Sequence, residues 1–347
     1  MLSSYFKNRN YRVKINNSLS DTTKLNFGVP QGSILGAVIF SLYISYIKTI
    51  AKDYNINIHF YADDIQLYMQ CNEDTNFHHL TNCLEKIQSW TNNNFLKLNN
   101  DKTKILTVST NSYKLFKIKE LKIMGKLIQV QDSVKNLGFV IDNNLNMVKQ
   151  INHICSQGYG MLKNLWKISK KVTDINVRTQ LIHSGILSRT DYCNALYTSL
   201  PNTQLKKLQK LINSAVRFIF NIKGIDRRNH ITPYLRELHF LPVHYRVKFK
   251  ICLMVYKCIN NQSPCYLQNL IHLRIPCWHR TLRIDHDKLL LAYKAPYKQE
   301  YKNRGFSIAS SRFWNTLPFH IRNSPSTTAF KVQLKTFYFR EWTESNL

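Results

Sequence analysis

The chain opens with short alternations. In Tyr11-Arg12-Val13-Lys14-Ile15, apolar and basic residues alternate with period two, which predicts a strand. A breaker cluster follows at Phe27-Gly28-Val29-Pro30-Gln31-Gly32, and Ser33 is placed to cap the apolar run that reaches Ile47. That run predicts a buried helix, because a bilayer span takes roughly 20 apolar residues. His59 to Met69 predicts two short strands about a turn, with aromatic and aliphatic residues flanking Asp63-Asp64. Phe77, Leu80, Leu84, Ile87 and Thr91 fall at helical spacing and predict an amphipathic helix over 75–94. Further strands are predicted near 103–109, 114–124, 126–131 and 134–142.

Beyond Asn143 the period changes to that of helices. Stretches 147–171, 174–188, 202–222 and 242–260 each carry it, with breaks at Pro201, Gly224, Pro233 and Pro242. From Asn202, an apolar set of Leu205, Leu208, Leu211, Ile212, Ala215, Val216 and Ile219 is interleaved with Lys206, Lys207, Lys210 and Arg217. A basic, breaker-rich tail ends in an amphipathic helix near 328–341. The pattern predicts an α+β protein in three parts: a mixed region at 1–142, a helical one at 143–225 and a basic one at 226–347.

Composition narrows the class. The 347 residues are 44% hydrophobic and 12% aromatic, enough to fold around cores and too apolar for intrinsic disorder. Lys and Arg number 49 against 20 Asp and Glu, and a net charge of +29 predicts a polyanionic partner. The excess is uneven: residues 1–150 carry 18 basic and 11 acidic side chains (+7), residues 151–347 carry 31 and 9 (+22). Candidate phosphate contacts there are Lys170, Lys171, Lys206, Lys207, Lys210, Arg227 and Arg228. Each alone more often reads as a solvated charge, but cations among Tyr, Phe and Trp suit single-stranded or hairpin RNA. The start, Met1 to Lys7, lacks the apolar core of a secretion signal. An intracellular protein, nuclear or cytoplasmic and not secreted, with reduced thiols is therefore expected. The spacing of Cys252, Cys258, Cys265, Cys277 and His279 matches no zinc site.

The sharpest chemical feature is Tyr61-Ala62-Asp63-Asp64. Adjacent carboxylates among apolar neighbours repel and are desolvated, a cost that a divalent cation offsets. Mg²⁺ prefers carboxylate and phosphate oxygens, and two such ions about 4 Å apart can activate a 3′-hydroxyl and stabilise leaving pyrophosphate. Neighbouring strand residues point to opposite faces, so the turn presents one carboxylate squarely and the other obliquely. A complete site then needs a third carboxylate from another element. An isolated Asp-Asp pair is more often just an exposed turn.

The company the motif keeps changes that. The segment Gly28-Val29-Pro30-Gln31-Gly32-Ser33-Ile34-Leu35-Gly36 resembles the G-V-P-Q-G-S-x-L-G motif of non-LTR (LINE-type) retrotransposon reverse transcriptases. F-S-L-Y-I at 40–44, the Asp63-Asp64 motif, L-K-L-N-N-D-K-T-K at 96–104 and V-K-N-L-G-F-V-I-D at 134–142 follow in that family's order. The resemblance continues through L-H-F-L-P-V-H-Y-R-V-K-F-K at 238–250, R-T-L-R at 280–283, W-N-T-L-P-F-H-I-R at 314–322 and F-K-V-Q-L-K-T-F at 330–337. It implies a partial polymerase palm at 1–142, a thumb-like helical domain at 143–225 and a basic C-terminal region. Asp63 would be the catalytic metal ligand and Asp64 a weaker one. Gln31, Gly32, Tyr61 and Ala62 would line the template and incoming nucleotide, and Lys102 would lie near the triphosphate. Leu137, Gly138 and Phe139 would support the primer end. Mg²⁺ is the implied cofactor. RNA template and DNA primer or product are the implied partners, deoxynucleoside triphosphates the implied small molecules, and no membrane is implied.

The family's palm also takes an aspartate from an earlier strand, in a D-x-x-x-A-F-D-like motif. Before Asp63 the only acidic residues are Asp21 and Asp53, and neither fits that position. Carboxylates clamping a metal act as a unit, so losing one costs orders of magnitude in rate. The resemblance therefore implies an N-terminally truncated enzyme with little polymerase activity alone. The alternatives are a non-catalytic RNA- or DNA-binding remnant and a pseudogene product that does not fold.

Overall fold

The structure, a computed structural model, describes residues 2–26, 28–30, 32–71, 77–109, 119–123, 125–222, 230–274, 288–291 and 305–344. The chain divides into two compact units: Met1–Ile105 with Phe116–Val130, and Leu106–Leu115 with Gln131–Leu347. These boundaries run differently from the three parts expected from the sequence.

In the first unit, the expected strand at 11–15 is split. Asn10–Tyr11 pairs with Thr23–Lys24, and Lys14–Ile15 with Ser18–Leu19. Between them the Val13 N–H donates to the Ser20 hydroxyl, 2.9 Å away, instead of continuing a ladder. Ser33 caps helix α1 (Ile34–Ile44): its side chain accepts the Gly36 N–H at 3.2 Å and meets the Tyr5 hydroxyl at 2.5 Å. Helix α2 (Ile47–Asp53) follows after a break at Ser45-Tyr46.

Two expectations for this run are corrected. Helix α1 is not a buried helix, since Ile34 (94%), Leu42 (69%) and Val38 (56%) are exposed. Its composition is apolar all round, while the core it joins covers only one side. Nor is the run too short for a bilayer. With α2 it extends to Asp53, and the 20 residues Ile34–Asp53 are long and apolar enough, by length and composition, to cross a membrane.

Strands β1 (Asn57–Tyr61) and β2 (Asp64–Tyr68) form an antiparallel hairpin with Tyr61 opposite Asp64. Ile58, Phe60, Ile65 and Leu67 turn inward onto a small core of Ile44, Ile47, Ile50, Ala51, Ile56, Cys83 and Ile87. The last two come from α3 (His78–Asn93), the amphipathic helix expected from its periodicity. Strands β3 (Glu120–Ile123) and β4 (Lys126–Gln131) pair antiparallel.

The second unit begins with β5 (Ser133–Asn136) and β6 (Phe139–Asp142), a hairpin where a continuous strand at 134–142 was expected. Leu137 (φ +46°) and Gly138 (φ +83°) make the turn, and two successive positive φ values are what a tight hairpin turn demands. Helices α4 (Val148–Lys167), α5 (Ile175–Ile182), α6 (Asn202–Ile219), α7 (Val243–Ile259), α8 (Phe306–Trp314) and α9 (Thr327–Glu344) follow. Helix α5 runs into a π-helical turn, His183–Leu187. One core joins them, from Phe139 through Leu211 and Tyr256 to Trp314 and Trp342.

An arginine without a carboxylate locks the helix ends. Arg178 is 4% exposed, and its guanidinium donates to the carbonyls of Val172 (2.7 Å), Ser169 (2.8 Å), Phe218 (3.2 Å) and Ile219 (3.4 Å). These carbonyls lie past α4 and at the end of α6, where helix dipoles favour a cation.

Candidate active site and nucleic-acid interface

The hairpin of β1 and β2 carries the paired carboxylates. One face is apolar and meets the core. The other presents Asn57, His59, Tyr61, Asp64 and Tyr68 to solvent. His59 stacks on Tyr68 with ring centroids 5.4 Å apart, and their Nε2 and hydroxyl lie 3.2 Å apart. Asp64 begins β2 on this polar face, and Asp63 occupies the turn beside Ala62, whose φ is +50°. Asp63, Asp64, Tyr61 and Ala62 are all exposed. No ion pair engages either aspartate among the described residues.

Hard oxygen donors free of protein partners are what Mg²⁺ takes. In kind, Asp63 and Asp64 fit it. In number they fall short: among the described residues no group of three His, Cys, Asp or Glu side chains comes together.

The glycine loop before α1 is pinned by Arg9, which donates to the Gly28 carbonyl at 2.7 Å. Gly32 holds φ +86° with open space where a side chain would project. Gln31 lies outside the described residues. Lys102 sits in a turn where the Asn99 side chain accepts the N–H groups of Asp101 (3.1 Å) and Lys102 (3.2 Å). Its side chain is exposed, and no hydrogen bond or ion pair ties it to the aspartates among the described residues.

In the second unit, Tyr192 fixes the hairpin expected to support a primer. Its hydroxyl donates to the Leu137 carbonyl, and its ring would lie 3.8 Å from a Cβ at Gly138. Gln150 of α4 accepts the Val140 N–H at 2.9 Å. No periodicity marks Tyr192, so the sequence reading missed it. Lys170 and Lys171 are exposed just beyond α4, and Lys206, Lys207 and Lys210 are exposed along α6. Lys207 is already engaged, donating to Asn152 Oδ1 at 3.0 Å. Arg227 and Arg228 lie outside the described residues. Seven described cysteines are free; Cys83, Cys252 and Cys258 are buried as expected of small core thiols, while Cys193 and Cys265 are exposed.

Parts of the chain are similar to known proteins. Residues 1–141 match the family described as "Reverse transcriptase (RNA-dependent DNA polymerase)". The chain is 27% identical over 184 residues to "Probable RNA-directed DNA polymerase from transposon BS" of Drosophila melanogaster, covering 50% of this chain and 20% of that protein. It is 24% identical over 160 residues to "RNA-directed DNA polymerase from mobile element jockey" of the same organism, covering 44% and 17%. The chain thus spans about a fifth of the length of these curated relatives. No solved structure matches it.

Proposed function

From the match of residues 1–141 to the reverse transcriptase family and the likeness to transposon RNA-directed DNA polymerases, we propose that the chain is a reverse transcriptase of the non-LTR retrotransposon type and carries one part of an RNA-directed DNA polymerase centre. Asp63 is the principal ligand of the catalytic Mg²⁺ and Asp64 the auxiliary one. A Mg²⁺ held by Asp63 and Asp64 would supply Lewis-acid chemistry there, activating a primer 3′-hydroxyl and offsetting charge on the departing pyrophosphate. Asp63 and Asp64 hold it in place, Gly32 leaves room for template and nucleotide, and Lys102 neutralises triphosphate charge. The basic second unit binds the RNA template and DNA product.

The observation that carries this reading is the tip of the hairpin, where two exposed carboxylates stand without an ion pair among the described residues, at a turn held in an unfavourable backbone conformation. The incomplete donor set supports a further element: a polypeptide of these 347 residues alone synthesises DNA poorly, because ligands of one metal act as a unit.

Primer extension on an RNA template with Mg²⁺ tests both parts. Slow incorporation that Asp63→Asn reduces further is expected. Robust incorporation abolished by Asp63→Asn would show a complete centre and overturn the proposed impairment. Incorporation unaffected by that substitution would remove Asp63 from the chemistry.

A further inference from the structure

The segment L-H-F-L-P-V-H-Y-R-V-K-F-K at 238–250 has no part in the polymerase centre, yet it builds most of one wall of a cleft of about 250 Å³ in the second unit. Lys335 of α9, Asp191, Asn194 and, from the π-helical turn, His183 complete the lining. π turns are rare and recur at functional sites. Three cations, Arg246, Lys250 and Lys335, share the cleft with one carboxylate, Asp191, leaving an excess of two positive charges with the histidines neutral.

That carboxylate is already committed. The Arg246 Nε donates to Asp191 Oδ1 at 2.8 Å and a second guanidinium nitrogen donates to Oδ2, a bidentate pair that fixes the arginine. Lys250 and Lys335 have no ion pair among the described residues. The field of the excess charge is felt nearby. His183 is held below its ordinary pKa by burial and then by Arg246, with Lys335 acting the same way and Asp191 opposing. Lys335 is itself lowered by partial burial and by Arg246. Cations gathered against Phe240, Leu241 and Phe249 repel one another in a low-dielectric setting, and an anion between them relieves that cost. The volume falls below the roughly 300–1,000 Å³ of small-molecule sites and suits a phosphate with its sugar.

We propose that this cleft seats a backbone phosphodiester of a nucleic-acid strand between Lys250 and Lys335, beside an Arg246 anchored by Asp191. The proposal rests on the reading that the chain handles RNA and DNA. It assigns residues that none of the sequence-derived phosphate contacts include.

The test is fluorescence anisotropy of a labelled single-stranded RNA with the full chain over a range of chloride concentrations. Lys250→Gln/Lys335→Gln is expected to weaken binding about 5- to 10-fold and to lower the salt slope by about 0.7, the loss of one phosphate contact on a single strand. Lys250→Arg/Lys335→Arg keeps the charge and is expected to keep the affinity. A parent chain that shows no salt-dependent RNA binding sinks the wider reading. A parent that binds while the Gln variant matches it in affinity and slope sinks the cleft alone. Should the Gln variant unfold, the His183 imidazole followed by NMR in the parent chain decides. A seated phosphate stabilises the imidazolium and raises its pKa, whereas RNA binding that leaves His183 unmoved overturns the proposal. Inorganic phosphate, at ionic strength matched with chloride, separates the sources. Displacement of RNA from the parent chain, with the residual RNA binding of the Gln variant unaffected, supports a strand phosphate in the cleft; phosphate that moves His183 while RNA binding stays undiminished makes the cleft a free-phosphate site instead.

Discussion

Ala62 holds a left-handed φ of +50° between Tyr61 and the paired aspartates. A side chain with a Cβ crowds the following carbonyl there, at a cost of about 1 kcal/mol relative to glycine. Such strain persists where the surroundings over-determine it, and it gathers at functional turns. Ala62→Gly is therefore expected to stabilise the first unit, raising its melting midpoint by a few degrees. A lower midpoint would mean that the turn is unstrained and that the alanine methyl contributes packing. The residue scale also shows where the sequence stops being informative. Ser33 was legible as a cap because its partner, the Gly36 N–H, lies three residues on. Arg178 was not legible, because the Phe218 carbonyl that it caps is 40 residues away. Local chemistry is written in local spacing, and tertiary chemistry is not.

At the scale of elements, the helical period predicted α6 well. The expected apolar set includes Leu208, Leu211, Ile212, Ala215, Val216 and Ile219, all buried, with the interleaved lysines exposed. What the period does not carry is the distance of approach. Gly158 on α4 faces Leu211 on α6, and a Cβ there would sit 2.6 Å from a leucine methyl. On an exposed helix, glycine to alanine gains about 1 kcal/mol. Here overpacking reverses the sign, and Gly158→Ala is expected to destabilise the second unit by about 1–3 kcal/mol in urea denaturation. Leu211→Ala, costly alone, is expected to cost less in the Gly158→Ala background, because the two changes share one space. Strict additivity would show that α4 shifts rather than clashes. The same limit explains two of the elements read differently from the sequence. An apolar run such as α1 declares its own composition but not what covers it. The Leu137-Gly138 turn lacks the Asn-Gly or Asp-Gly signature that marks a two-residue hairpin.

Across the whole molecule, the buried cores are unequal. Seven buried apolar residues form the core of the first unit and 38 that of the second, among the described residues. Fold stability therefore resides mainly in the basic part, where residues 151–347 carry 31 Lys and Arg against 9 Asp and Glu. A fold held under such charge is sensitive to any further proton it must accept. Two histidines bear that burden. His183 is lowered by burial, Arg246 and Lys335 against Asp191. His244 is lowered by burial and Lys248 against Glu341. The sign follows from linkage. Each imidazole titrates near its ordinary 6.5 in the unfolded chain and lower in the folded one, so between those values the unfolded state binds more protons. Stability of the second unit is then level above about pH 7 and falls as the pH drops through 6.5 toward the folded values. Urea midpoints are expected to be lower at pH 5.5 than at pH 7.5, with the gap narrowed by His183→Gln and again by adding His244→Gln. RNA is expected to narrow it too, since a phosphate in the cleft raises the folded pKa of His183 toward the unfolded one. A gap of the same size in the double variant would place the acid sensitivity in other groups and detach His183 from the field of Arg246 and Lys335.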